Sequence, residues 1–142
     1  MPHAEHTVTI NRPAVDVFNY LADGEKCTEW RSGVIEIKHV SGDGVGAEYK
    51  QSVRGPGGRA IPADYTITEF APNSLIAFQT TAGPVRPRGR YVLQESGGAT
   101  TVTFTLDAEL TGLKKILMGG MVGKTMAGEV QAIDKVKTIL EG

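Results

Sequence analysis

Apolar residues recur at steps of three and four along the end of the chain: Met118, Val122, Met126, Val130, Ile133, Val136 and Leu140. That spacing lines one face of a helix and leaves Lys124, Glu129, Gln131, Asp134, Lys135 and Lys137 for the wet face. It predicts one long helix over most of residues 112–142. Gly119, Gly120, Gly123 and Gly128 fall inside it, and each costs about 1 kcal/mol relative to alanine. Either they let the helix backbone lie close to a sheet, or they leave room for a ligand or let the segment 113–126 move as a gate.

Upstream the period changes from 3.6 to 2. Residues 3–10 alternate, with His6, Val8 and Ile10 on one side. Asn11 and Pro13 then suit a helix start, Asn11 as its cap. Val15, Val17, Phe18 and Leu21 form the apolar side of that helix, which stops at Asp23-Gly24. A second short helical turn is expected over residues 25–29. Six further strands follow, separated by turns rich in Gly, Pro, Asn and Asp. Their expected inward positions are Ile35 and Ile37, then Tyr49, Gln51 and Val53, then Tyr65, Ile67 and Glu69. Ile76, Phe78 and Thr80 come next, then Tyr91 and Leu93, then Val102, Phe104 and Leu106.

The pattern therefore predicts an α+β domain: one strand, two short helices, six strands in an antiparallel meander, and the long helix. A sheet of about seven strands with one wet face must curl. The long helix is the element able to fill its concave side.

At 142 residues the chain has the length of one domain. A formal net charge of −1 gives no general pull toward nucleic acid or anionic membrane. The single cysteine, Cys27, excludes an internal disulfide. No basic segment followed by an apolar stretch opens the sequence, and no run is long enough to span a bilayer. The expectation is a cytoplasmic protein, monomer or homodimer, without stable membrane insertion and without a cofactor.

Several segments, taken in order, carry a resemblance. They are 10–18 (Ile-Asn-Arg-Pro-Ala-Val-Asp-Val-Phe), Asp23 through Trp30 to Gly33-Val34, and Gly44-Val45-Gly46. Thr68-Glu69-Phe70-Ala71-Pro72-Asn73 and the closing 132–141 complete the set. With these features the chain resembles the START, Bet v 1-like and polyketide cyclase/dehydrase superfamily. The resemblance spans nearly all of the sequence. It implies a helix-grip fold with an apolar cavity between curved sheet and long helix. It also implies a small hydrophobic ligand, whether lipid-like, aromatic or polyketide-like. It carries over no catalytic motif, because that superfamily shares none.

The ligand-contact candidates are Tyr49, Gln51, Tyr65, Phe78, Thr80, Tyr91, Phe104, Met118, Val122 and Met126. The tyrosine hydroxyls and Gln51 would orient a phenolic or carbonyl ligand, or else be satisfied within the core. Glu69, Tyr65 and His6 are the candidates for moving protons, Glu69 if burial raises its pKa and His6 as a shuttle. Against those roles stand a strand-end Glu69 paired with an arginine and a His6 held in the core or at its rim. Arg86, Arg88 and Arg90 stand near a proline-rich loop, either guarding the cavity mouth or simply solvated.

Other chemistries lack support. His3 and His6 fall on opposite faces of a strand, so no metal site forms from them. Gly42-x-Gly44-x-Gly46 precedes no helix, so it is a turn rather than a dinucleotide loop. No Gly-x-Ser-x-Gly accompanies the lone cysteine. No interleaved basic and aromatic pattern suggests nucleic acid. The reading is a hydrophobic-ligand-binding domain. The alternatives are a cyclase/dehydratase-like enzyme and a growth-regulating or toxin-like partner protein on the same fold.

Overall fold

A computed structural model describes residues 3–55, 58–83, 85–108 and 123–142. The order is β1 (His3–Ile10), α1 (Ala14–Ala22), a 3-10 helix (Gly24–Glu29), β2 (Val34–Ser41), β3 (Glu48–Arg54), β4 (Ala60–Pro62), β5 (Tyr65–Ala71), β6 (Leu75–Thr80), β7 (Arg88–Ser96) and β8 (Ala99–Asp107). Residues 123–131 are helical. Ala132, in the αR region, leads on to α2 (Ile133–Glu141). Its amide donates to Glu129 O at 3.2 Å, a tighter three-residue step within an otherwise α-helical run. The expected helix upstream of Gly123, with Met118, Val122, Gly119 and Gly120, lies outside the described residues.

All strand pairs are antiparallel, in the order β1-β8-β7-β6-β5-β3-β2, with β4 beside β3. The strand expected to carry Tyr65, Ile67 and Glu69 is β5, and a separate short strand, β4, precedes it. Ala63 N, between the two, donates to Gln51 O at 2.8 Å. α2 packs on β1, the 3-10 helix on β2, and α1 on β7 and β8. The core between helices and sheet holds Ile10, Val17, Trp30, Val102, Phe104, Val130, Ile133 and Val136, each at most 2% exposed. Removing such side chains from water supplies about 1.5–3 kcal/mol apiece.

The helix starts with a long-range partner. Asn11 does not cap α1. The Ala14 amide instead donates to Glu95 Oε1 of β7 at 2.6 Å, while the Asn11 amide donates to Glu141 Oε2 at 2.8 Å. Val15, expected on the buried side of α1, is exposed.

Two irregularities reset the alternation. The β2–β3 register shifts between Val34 and Glu36. Val34 and Ile37 are therefore buried, and Ile35 faces solvent. The β5–β6 register shifts between Ile67 and Glu69. An extra residue flips every later side chain to the other face. Phe70 turns inward to meet Phe18 edge-on at 5.2 Å, and Glu69 turns outward.

Candidate functional site

The inner face of the sheet carries a continuous row of rings, one per strand from β2 to β8, with the short β4 standing outside the row. His39 stacks on Tyr49 (4.8 Å between centroids), and Tyr49 stacks on Tyr65 (4.9 Å). Tyr65 meets Phe78 at 5.4 Å, Phe78 meets Tyr91 at 6.1 Å, and Tyr91 meets Phe104 at 4.5 Å. The row follows from register: His39 faces Tyr49, Tyr49 faces Tyr65, and Tyr91 faces Phe104 across their strands. Cross-strand aromatic pairs contribute about 0.2–1 kcal/mol each. Trp30 closes the Phe104 end, edge-on to Tyr91 at 6.3 Å and to Phe104 at 6.0 Å.

Two glycines make this packing possible. Gly89 pairs with Phe78, and a Cβ there would collide with the far edge of the Phe78 ring. At Gly24, the first residue of the 3-10 helix, a Cβ would collide with the Tyr65 hydroxyl and the Tyr49 ring. Backbone and ring thus approach more closely than any side chain allows.

A cavity of about 340 Å³ opens beside the row, near the lower end of the range for small-molecule sites. One wall is the sheet: Tyr49, Tyr65, Ile67, Phe70, Ile76, Phe78 and Tyr91. The other is the end of α1 and the 3-10 segment: Leu21, Ala22, Asp23, Gly24, Cys27 and Arg31. His39, the 42–44 turn and Ala47 complete the lining. No described residue of the C-terminal helix belongs to the lining. The described cavity therefore lies between the sheet and the α1/3-10 segment, not against the described part of that helix.

Most polar groups around the cavity already have partners. Asp23 accepts from the Glu25 amide at 3.2 Å. His39 Nε2 donates to Gly42 O at 2.5 Å. Arg31 Nη1 donates to Gln51 Oε1 at 3.0 Å, and its Nε and Nη2 reach Glu129 Oε1. Burial works against the Arg31 charge, but the Glu129 carboxylate outweighs it and holds the guanidinium protonated. The Tyr49 hydroxyl donates weakly to Ala22 O at 3.4 Å.

Tyr65 and Tyr91 differ. They are 7% and 5% exposed, yet neither hydroxyl has a hydrogen-bond partner among the described residues. No fully enclosed side-chain polar atom among the described residues lacks a bond. These two hydroxyls are thus left to whatever fills the cavity. Desolvation pushes both phenols well above their ordinary value. Both stay neutral and able to donate.

The family of polyketide cyclases/dehydrases and lipid transport matches residues 1–141. The chain belongs to this family. No curated protein matches the sequence. Among solved structures, a Thermus thermophilus protein superposes with a TM-score of 0.80 at 22% identity, covering 94% of this chain and 92% of that one. A START superfamily protein from Mycobacterium smegmatis gives 0.77 at 16%, covering 98% and 97%. An aromatase/cyclase from a Streptomyces species gives 0.66 at 17%, covering 98% and 87%. At these identities the likeness shows a shared fold, here the helix-grip arrangement of a curved antiparallel sheet around a C-terminal helix.

Within this polyketide cyclase/dehydrase and lipid-transport family member, the sequence-derived candidates are distributed as follows. Tyr49, Tyr65, Phe78 and Tyr91 line the cavity. Gln51, Thr80, Phe104 and Met126 are buried but not in the lining. Gln51 is held on both sides, its Nε2 donating to Ala63 O at 2.9 Å and its Oε1 taking Arg31. Glu69 is half exposed on the outer face, 3.4 Å from Arg90 Nη2. The bulge put it there, away from any proton-transfer role in the cavity. His6 is also outside the cavity; its Nε2 donates to Asp134 Oδ1 at 2.9 Å, tying β1 to α2. Arg86, Arg88 and Arg90 are not in the lining.

Sequence reasoning missed Gly24, Cys27 and Arg31. All three stand on or just after the short 3-10 element, where no apolar period reveals an inward face. The adjacent Asp23-Gly24 pair was legible as a helix stop and nothing more.

Proposed function

We propose that the protein binds a small, flat, hydrophobic ligand carrying a hydrogen-bond acceptor, an aromatic or polyketide-like carbonyl compound, in the cavity between sheet and 3-10 helix. The observation that carries this reading is the pair of Tyr65 and Tyr91 hydroxyls in an aromatic wall, on largely buried side chains, not themselves fully enclosed and without a hydrogen-bond partner among the described residues. Hydroxyls that open on a cavity take their hydrogen bond from what fills it, and a ligand carbonyl would supply an acceptor there. Stacking against the ring row and apolar burial would drive binding, and the two hydroxyls would set orientation. A cyclase or dehydratase would also need a positioned base. The His39 and Asp23 side chains at the cavity are already engaged, and Glu69 and His6 stand outside it. The arrangement favours binding over turnover.

Calorimetry with dihydrochalcone, a planar-ringed aryl ketone, and with a saturated fatty acid of similar size tests this. The expected result is one-to-one binding of the ketone, stronger than the acid. It should weaken by about 1 kcal/mol in each of Tyr65→Phe and Tyr91→Phe. Equal binding of both compounds, unchanged in either variant, would remove the reading.

A further inference from the structure

The cavity contains one nucleophile that reversible binding does not use. Cys27 lies in the wall, 5% exposed, with a free thiol. Gly24 and Cys27 are three residues apart on a 3-10 helix, so they eclipse on one face about 6 Å apart along the axis. The Tyr65 hydroxyl rests against Gly24. The Tyr65 hydroxyl of the sheet wall and the Cys27 thiol of the facing wall therefore stand about one helical turn apart along the 3-10 axis, and Tyr91 lines the same space.

We propose that Cys27 captures α,β-unsaturated ketones that enter this cavity, by conjugate addition assisted by the Tyr65 and Tyr91 hydroxyls. The inference rests on the cavity being a ligand site and adds a covalent fate for one ligand class. The enone oxygen takes the tyrosine hydrogen bonds, which draws electron density from the β-carbon. Sγ bonds to that carbon, and the carbon–carbon π pair moves to give an enolate at the oxygen. The thiol proton passes to the enolate oxygen and, on ketonisation, ends on the α-carbon. Nothing leaves, and no oxidant or reductant is consumed.

The environment makes the thiol selective. Burial pushes it up, and the Arg31 guanidinium beside it opposes that shift without cancelling it. A thiol of this kind is slow toward general alkylating agents. It reacts when a bound carbonyl brings the electrophilic carbon into contact, because a held reactant replaces a bimolecular encounter.

Chalcone and its saturated counterpart dihydrochalcone separate capture from binding. Intact-mass spectrometry and peptide mapping should find one chalcone per chain, on Cys27, and none in Cys27→Ser or Cys27→Ala. Dihydrochalcone should bind reversibly with no mass gain. Iodoacetamide should label the folded chain slowly. A folded Tyr65→Phe/Tyr91→Phe variant should form the chalcone adduct about tenfold more slowly. If dihydrochalcone binds and chalcone leaves no adduct, capture is wrong and the ligand reading stands. Adduct formation at an undiminished rate in the double tyrosine variant also overturns the proposal, since it shows ordinary thiol reactivity. If neither compound binds or adds, both readings fall.

Discussion

The Arg31 guanidinium and the Glu129 carboxylate meet from positions 98 residues apart and tie the segment behind Trp30 to the C-terminal helix. Arg31 also holds Gln51 of β3, so one side chain joins three elements at the edge of the cavity. Both partners are mostly shielded, at 12% and 21% side-chain exposure. Removing one leaves the other charge poorly solvated. Arg31→Met and Glu129→Gln should each lower stability by about 2–4 kcal/mol. The double variant should lose less than the sum of the two. Urea unfolding of the three chains checks this, and additive losses would mean the pair is not coupled.

Beyond the adjoining helix, no described residue lies within 4 Å of where a Cβ would stand at Gly128 or at Gly123. Neither glycine brings the helix closer to the sheet, contrary to one expectation from the sequence. Gly128→Ala should therefore raise stability by up to about 1 kcal/mol. A rise in the urea midpoint with unchanged slope is the expected outcome. A fall would reveal a close contact at that face.

Gly89 is different in kind, because the Phe78 ring occupies the place of its missing side chain. Gly89→Ala should push that ring aside and cost about 1–3 kcal/mol, in the manner of an overpacked core. It should also weaken dihydrochalcone binding, since Phe78 lines the cavity. Unchanged affinity would show that the ligand does not touch that end of the ring row.

All four tyrosines, Tyr20, Tyr49, Tyr65 and Tyr91, are held above their ordinary value near 10, chiefly by desolvation, with Glu29 adding to the effect at Tyr20. The folded-state values are raised. This contribution to stability is therefore present in full below pH 10 and is lost as pH climbs through the folded values. Spectrophotometric titration of the native protein should show little tyrosinate near pH 10, then cooperative ionisation together with alkaline unfolding. In denaturant the same groups should titrate near 10. Early, gradual ionisation of one or more tyrosines in the folded chain would contradict the burial described for them.

Tyr49, Tyr65 and Tyr91 were legible as inward residues because undisturbed alternation reaches each of them. Glu69 and Ile35 were not, because each lies within a register shift that a period-2 reading cannot detect. The bulge that expels Glu69 also brings Phe70 in, so one unseen residue altered two assignments. Gln51 was legible as buried, but its engagement by Arg31 and Ala63 depends on contacts made in three dimensions. Gly24 and Gly89 carry no sequence mark that separates them from turn glycines; only the rings above them reveal their role. Cys27 and Arg31 needed the 3-10 helix to be placed over the sheet before they became part of a site.

A heteronuclear NMR titration with dihydrochalcone tests most directly whether this cavity is a ligand site. Saturable one-to-one shifts concentrated at Gly24, Cys27, Tyr49, Tyr65 and Tyr91 are expected. Shifts spread instead over the exposed Val40, Val45 and Val92, or no saturable shifts at all, would contradict a ligand site in this cavity.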